Sequence, residues 1–290
     1  MSILKEIILS GKKVLTAELF APKGIDMTLI SKKVELLKHY IHAFNVTDNQ
    51  RATMRVSSLG LCAWIQNNFN VETVFQLNCR DRNRIALQSD LLAASLLGIK
   101  NVLVITGDHP SVGDHDFAKA VYDMDSVQLL HTISGLKKGV DFSGNELKGN
   151  PDIFVGATAN PAARPLRPHL IKFGKKVHAG AEFFQTQVVF DTDKYIEFAK
   201  QANEYNIPII AGISLIKNVK FAHFINKSVP GLNVPEETIK RLSQSEDYKE
   251  ERVKIACEII EKLKPYVAGF HFMAFGLERE IPQIIEKTKI

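Results

Sequence analysis

The chain has 290 residues, 45% of them hydrophobic and 24% charged, the balance of a soluble globular protein long enough to bury one large core. Its formal charge of +5 is mild. No arginine-rich tract, zinc-finger spacing or aromatic-basic repeat accompanies it, so the usual nucleic-acid signatures are excluded and an anionic small ligand stays open. Cys62, Cys79 and Cys257 are too few and too scattered for a disulfide framework or a CxxC metal site. The N-terminal apolar patch is short for a secretory signal, and no apolar run reaches the ~18 residues of a membrane span, so a cytoplasmic location is expected.

In chain order, short runs rich in Val, Ile and Phe predict strands at 14–20, 43–48, 73–79, 101–107, 153–159, 183–190, 207–213 and 269–275. Several are continuously apolar, as in parallel strands covered on both faces. Helical spacing lies between them. In 86–99, Leu87, Leu91, Leu92 and Leu96 are read as one apolar stripe, with Gly98 as the stop. Segment 192–203 opens on a Thr/Asp capping signal, and 234–242 carries Pro and two Glu in its first turn. Eight strands alternating with helices predict a (β/α)8 TIM barrel, a single domain over residues 1–290. The alternative, an open doubly wound sheet, lacks its GxGxxG signal. Extended loops with extra helices are expected after the fourth and seventh strands.

In such a barrel, chemistry gathers at the C-terminal ends of the strands. Those ends carry Glu18, Thr47-Asp48, Asn78 to Asp81, Thr106-Gly107-Asp108, Thr158 to Asn160, Gln185, Gln187 and Ser214. Glu18 reads either as a solvated or barrel-bottom residue or as a general acid in an apolar setting. Asp108 reads either as a cap or as a functional charge. Gln185 and Gln187 share one strand face and suggest ligand contact. Segment 164–177 gathers Arg164, Arg167, His169, Lys172, Lys175 and Lys176, either a solvated basic helix or a phosphate site. CRDRNR (79–84) reads as an ion-paired loop. Walker A and GxSxG patterns are absent.

In order, the segments TAELFAPKG, FNVTDNQRA, QLNCRDRNRIALQSDLLAASLLGIKNVLVITGDHP, FVGATANPAARP, HAGAEFFQTQVVFD, PIIAGI, VPGLNVPEE and FHFMAFG place these polar residues at successive strand ends. Together they resemble the methylenetetrahydrofolate reductase family, in its short prokaryotic catalytic-barrel form without a C-terminal regulatory domain. The resemblance covers nearly the whole chain. It implies a (β/α)8 barrel and a flavin at the open end, FAD ahead of FMN. The implied reaction reduces 5,10-methylenetetrahydrofolate to 5-methyltetrahydrofolate, a step of one-carbon metabolism.

The resemblance also implies roles for residues. Glu18 matches the family's first-strand glutamate, which supplies a proton to the leaving nitrogen of the folate. Asp108 matches an aspartate beside flavin and pterin, a fixed charge for a cationic intermediate. Gln187, with Gln185, would meet the pterin. Thr47, Gln76, Thr106, Gly107, Asp108, Tyr122, Asn160, Lys172 and Lys176 would hold the flavin, the lysines at its phosphates. Gln76 stands where many members have His, and Asn160 near a family tyrosine. Val219 stands where the familiar branch has an aromatic residue packing against nicotinamide or folate. The electron donor is therefore left between NAD(P)H and a partner subunit, electron-transferring or zinc-containing, and an oligomer is expected. The alternatives are a pterin-binding methyltransferase, for which the chain has no His/Cys ligand set, and a non-catalytic pterin-binding subunit.

Overall fold

A computed structural model describes residues 1–228 and 232–290. Val229 to Gly231, the start of VPGLNVPEE, lie outside the described residues.

Eight parallel strands close into a barrel in sequence order: β1 (Val14–Leu19), β2 (Ala43–Val46), β3 (Glu72–Asn78), β4 (Asn101–Ile105), β5 (Phe154–Ala159), β6 (Phe183–Val188), β7 (Ile209–Ser214) and β8 (Gly269–Met273). All eight fall on predicted runs. Closure joins β1 to β8, with Thr16 opposite His271.

The helices are α1 (Ile3–Leu9), α2 (Thr28–Leu37), α3 (Ser58–Phe69), α4 (Arg84–Leu96), α5 (Ser126–Lys137), α6 (Leu166–His178), α7 (Thr192–Ala202), α8 (Val219–Ser228), α9 (Glu236–Gln244), α10 (Tyr248–Leu263) and α11 (Ile281–Thr288). The interval after β7 holds two extra helices, α8 and α9, as expected. The interval after β4 is a loop with a 3-10 turn at Pro110–Val112. Asp191 caps α7, accepting from the backbone N–H of Lys194, one residue before the predicted signal. Among the described residues no helix is long and apolar enough to cross a membrane.

The α4 stripe differs from its prediction. Leu87, Leu91 and Ala94 are buried, whereas Leu92 is 37% and Leu96 89% exposed. At about 100° per residue, nine positions carry Leu96 to the side of the helix opposite Leu87.

Alternation along the strands sorts side chains into an outer core under the helices and a lumen. The lumen is apolar at its base. Val14, Ala43, Val74, Leu103, Phe154, Phe183 and Ile210 cluster there with Leu4 of α1, which stops the lower end. Helix α1 is tied down by Glu72, whose carboxylate accepts from the backbone N–H of Ile3 and Leu4, and by the Lys5–Glu182 ion pair. Two residues farther along the strands, the same alternation reaches Thr16, Asn45, Gln76, Gly156, Gln185, Gly212 and His271. A Cβ on Gly156 would stand 2.3 Å from the Phe183 ring, so the absent side chain is what lets the large base residues fit.

Candidate active site

The middle of the lumen is a hydrogen-bonded relay of amides. Gln76 Nε2 donates to Asn45 Oδ1 at 2.9 Å, and Asn45 Nδ2 donates to Gln185 Oε1 at 2.6 Å. All three are buried. The relay links β2, β3 and β6. Gln76 thus lies inside the barrel rather than at a strand end, and Gln185 has one amide oxygen engaged by Asn45. Gln187, half-buried, sits where the β6–β7 pairing shifts register, and its Oε1 accepts from the Val188 N–H at 3.2 Å. Thr186 supports that irregularity by accepting from the Gly212 N–H.

Above the relay, Glu18 points into the mouth with 12% of its side chain exposed. Behind it is His271, which sequence reasoning missed because a lone His in GFHFM reads as a core residue. His271 Nδ1 lies 2.8 Å from Thr16 Oγ1, and Nε2 is 3.9 Å from Glu18 Oε2. Flanking the mouth is an aromatic chain that was also missed. Phe20 follows β1, Phe275 follows β8, and Phe221 and Phe224 lie on α8. Successive ring centroids are 5.8, 5.6 and 6.3 Å apart. Phe275 holds a left-handed φ of 49°, a conformation strained for a side chain of this size. Val219 is the first residue of α8 and packs on the core, two residues before Phe221.

The loops after β2 and β3 form a fixed wall. Asp48 is buried and bound by Arg82 at 2.7 Å and by Asn78. Arg80 pairs with Asp81, Arg82 also with Asp90, and Arg84 with Asp123. CRDRNR is thus an ion-paired loop. Thr47 is buried beside the end of β1, its hydroxyl facing the Leu19 carbonyl at 3.4 Å. Arg80 reaches across to the Asp108 carbonyl, which sets the course of the chain leaving β4.

On that chain Gly107 adopts φ 89°, and a Cβ there would press on Arg80 at 3.0 Å. Asp108 is exposed. It caps nothing: the following turn is capped by His109. Tyr122 donates its hydroxyl to the Gly107 carbonyl at 3.1 Å, and Thr106 donates to Ser126 at 3.3 Å. Burial, the largest influence, pushes the Tyr122 phenol upward, with Asp108 adding to it.

Beyond β4 and β5 runs a cleft of about 590 Å³ bordered by Thr106, Tyr122, Asp125, Gln128 and Lys175. A smaller hollow at the end of β5 is lined by Thr158, Asn160, His169, Lys172 and Lys176. Asn160 Oδ1 accepts from the Ala162 N–H there. Lys176 is only 7% exposed and donates to the Thr158 carbonyl at 2.6 Å. Burial first and Lys172 second lower its ammonium to about 8. Two lysines one helical turn apart, with the inner one destabilised as a cation, fit an anion. A hollow carrying two lysines, a histidine and one amide fits the phosphates of a flavin. The basic helix is therefore divided: Lys176 is internal, Arg164 pairs with Glu197, and Arg167, His169, Lys172 and Lys175 are exposed. Among the described residues no group of three His, Cys, Asp or Glu could hold a metal ion.

A model of the methylenetetrahydrofolate reductase family matches residues 3–289. Methylenetetrahydrofolate reductase 2 of Schizosaccharomyces pombe is 25% identical over 96% of this chain and 46% of its own length. The 5,10-methylenetetrahydrofolate reductase of Pectobacterium carotovorum is 26% identical over 91% of this chain and 86% of its own. The chain spans about half the length of such eukaryotic curated relatives. Among solved structures, a Clostridium thermocellum protein described as binding two copies of 5-methyl-5,6,7,8-tetrahydrofolic acid shares the fold. It superimposes with a TM-score of 0.63 at 14% identity, covering 99% of both chains.

Proposed function

The chain belongs to the methylenetetrahydrofolate reductase family, and on that premise we propose that it reduces 5,10-methylenetetrahydrofolate to 5-methyltetrahydrofolate at the open end of its barrel. The observation that carries this reading is Glu18: a carboxyl group at the head of a lumen of uncharged amides above an apolar base.

A flavin bound along the β4–β5 side would supply the hydride. Lys172 and Lys176 would hold its phosphates, and Thr106, Gly107, Tyr122 and Asn160 would border it, while Thr47 is set back at the β1–β2 side. Between the two flavins, the family resemblance favours FAD. Reducing equivalents would come from NAD(P)H or from a partner subunit.

The chain's own residues handle charge and orientation. Glu18 gives its proton to the leaving nitrogen of the five-membered folate ring. The ring C–N bond breaks, its electron pair stays on nitrogen, and the methylene carbon becomes an electrophilic iminium. Asp108, with an unengaged carboxylate, stabilises that cation. Gln187 binds the pterin edge. Gln185, held by Asn45, keeps its Nε2 donors for the same ligand. Phe20, Phe221 and Phe275 offer flat apolar faces to the aromatic part of the folate, a contact that Val219 does not supply.

The test is a stopped-flow separation of the half-reactions. Purified protein should be yellow or take up added flavin, bleach with dithionite, and regain colour with methylenetetrahydrofolate. Glu18→Gln should keep flavin and its reduction but slow reoxidation by the folate about 10²- to 10⁴-fold. A colourless protein that takes up no flavin would sink the proposal.

A further inference from the structure

His271 is buried with no exposed surface, and its Nε2 has no hydrogen-bond partner. A ring nitrogen left so is costly, and an orphan of this kind calls for an explanation. The surroundings narrow it. Below lies the apolar base. On β7 its register neighbour is Gly212, with Ser214 beyond. The other lumen side chains at its level are Asn45, Gln76 and Gln185, all uncharged. On β1 stand Thr16 and Glu18, and Glu18 is the titratable group facing the ring. The 3.9 Å from Nε2 to Glu18 Oε2 is too long for a hydrogen bond and within reach of one turn about a Glu18 side-chain bond.

We propose that His271 is a positioning residue for Glu18. The Thr16 hydroxyl donates to Nδ1, which fixes the ring proton on Nε2, and that N–H receives the Glu18 carboxylate once its proton has gone to the folate. The inference rests on Glu18 being the proton donor. In the step itself the Glu18 O–H bond breaks and an N–H bond forms on the leaving nitrogen. His271 neither gains nor loses a proton. What changes is charge: the transfer leaves an anion at Glu18. A donor that stands off the acid and closes on the anion binds the later state better than the earlier one, which is how a barrier is lowered.

The experiment compares His271→Leu, His271→Gln and Thr16→Val in flavin-loaded protein. His271→Leu should slow reoxidation by methylenetetrahydrofolate about 10²-fold and move its pH profile, with flavin reduction within twofold of wild type. His271→Gln, which keeps an N–H, should recover much of the loss. Nitrogen NMR of the imidazole should give the Nε2–H tautomer in the wild type and a mixture in Thr16→Val. Equal losses in both half-reactions with an unmoved pH profile, or an Nδ1–H tautomer in the wild type, would overturn the proposal. If His271→Leu does not fold, Thr16→Val decides, and an unchanged pH profile there counts against it. Failure of the underlying reading is separable: then Glu18→Gln itself would leave reoxidation intact.

Discussion

Replacing Lys176 by Met should make the flavin-free protein more stable and the flavin more weakly held. Holding an ammonium at about 8 instead of the ordinary 10.5 costs about 1.4 kcal/mol per pH unit, roughly 3 kcal/mol of folding free energy. Met fills nearly the same volume without that charge. The lost hydrogen bond to the Thr158 carbonyl takes back about 1 kcal/mol, leaving a net gain of roughly 2 kcal/mol at pH 7. The pH dependence has a definite sign. Below pH 8 both folded and unfolded chains carry the proton and the cost is complete. Between 8 and 10.5 the folded wild type has shed its proton while the unfolded chain keeps it, so wild-type stability rises with pH. The advantage of the variant should therefore fade across that window, reach zero at about pH 9.5 to 10, and give way near 10.5 to a wild type more stable by about 1 kcal/mol, the worth of the hydrogen bond alone. Urea unfolding of flavin-stripped protein at pH 7, 9 and 10.5 measures this. In parallel, flavin fluorescence quenching should give an affinity roughly 10- to 100-fold weaker for a phosphorylated flavin and unchanged for riboflavin. A variant less stable than wild type at pH 7, or an advantage that does not shrink with pH, would refute the assignment of Lys176 as a buried cation kept for an anionic ligand.

Asp108→Asn should weaken folate binding roughly tenfold in equilibrium titration and change stability by less than about 0.5 kcal/mol, because its side chain supports no neighbour. If it unfolds the barrel instead, Asp108 has a structural task. Arg82→Ala leaves the buried Asp48 carboxylate with only amide partners and should cost about 3 kcal/mol in chemical denaturation; a loss under about 1 kcal/mol would mean that water replaces the guanidinium. Gly156→Ala should cost about 1–3 kcal/mol, since its methyl meets a Phe183 ring stacked on Phe154 at 4.8 Å and unable to retreat. A variant of wild-type melting temperature would show that the base layer is looser than described.

The strands were legible because a strand covered on both faces must be apolar at nearly every position, and NVLVI or IIAGIS can hardly do anything else. The layering inside the barrel was less so. Gln76 and Gln185 are visible as polar residues in apolar runs, but their link through Asn45 spans 140 residues of sequence. The aromatic chain joins Phe20 to Phe275, 255 positions apart, through a backbone strained at Phe275. Leu96 misled for another reason: leucine marks an apolar face only when its angle on the helix agrees, and its angle does not. Lys176 stood out from its neighbours only through the family resemblance, and packing against β5 is what separates it physically from Lys175. His271 carries no local signal at all, since its meaning comes from the carboxyl group of another strand.

The stopper at the base has a consequence for how the chain is made. Helix α1 leaves the ribosome before the strands of the barrel, yet the partners that hold it are spread along the chain: Glu72, Phe154, Glu182, Phe183 and Ile210. Nor can β1 find its second neighbour until residue 273 has emerged. For most of barrel synthesis α1 thus lacks its apolar seat and β1 keeps one edge unpaired. Closure of this barrel is a late and collective event, and the nascent chain depends on protection of its α1–β1 segment until β8 arrives.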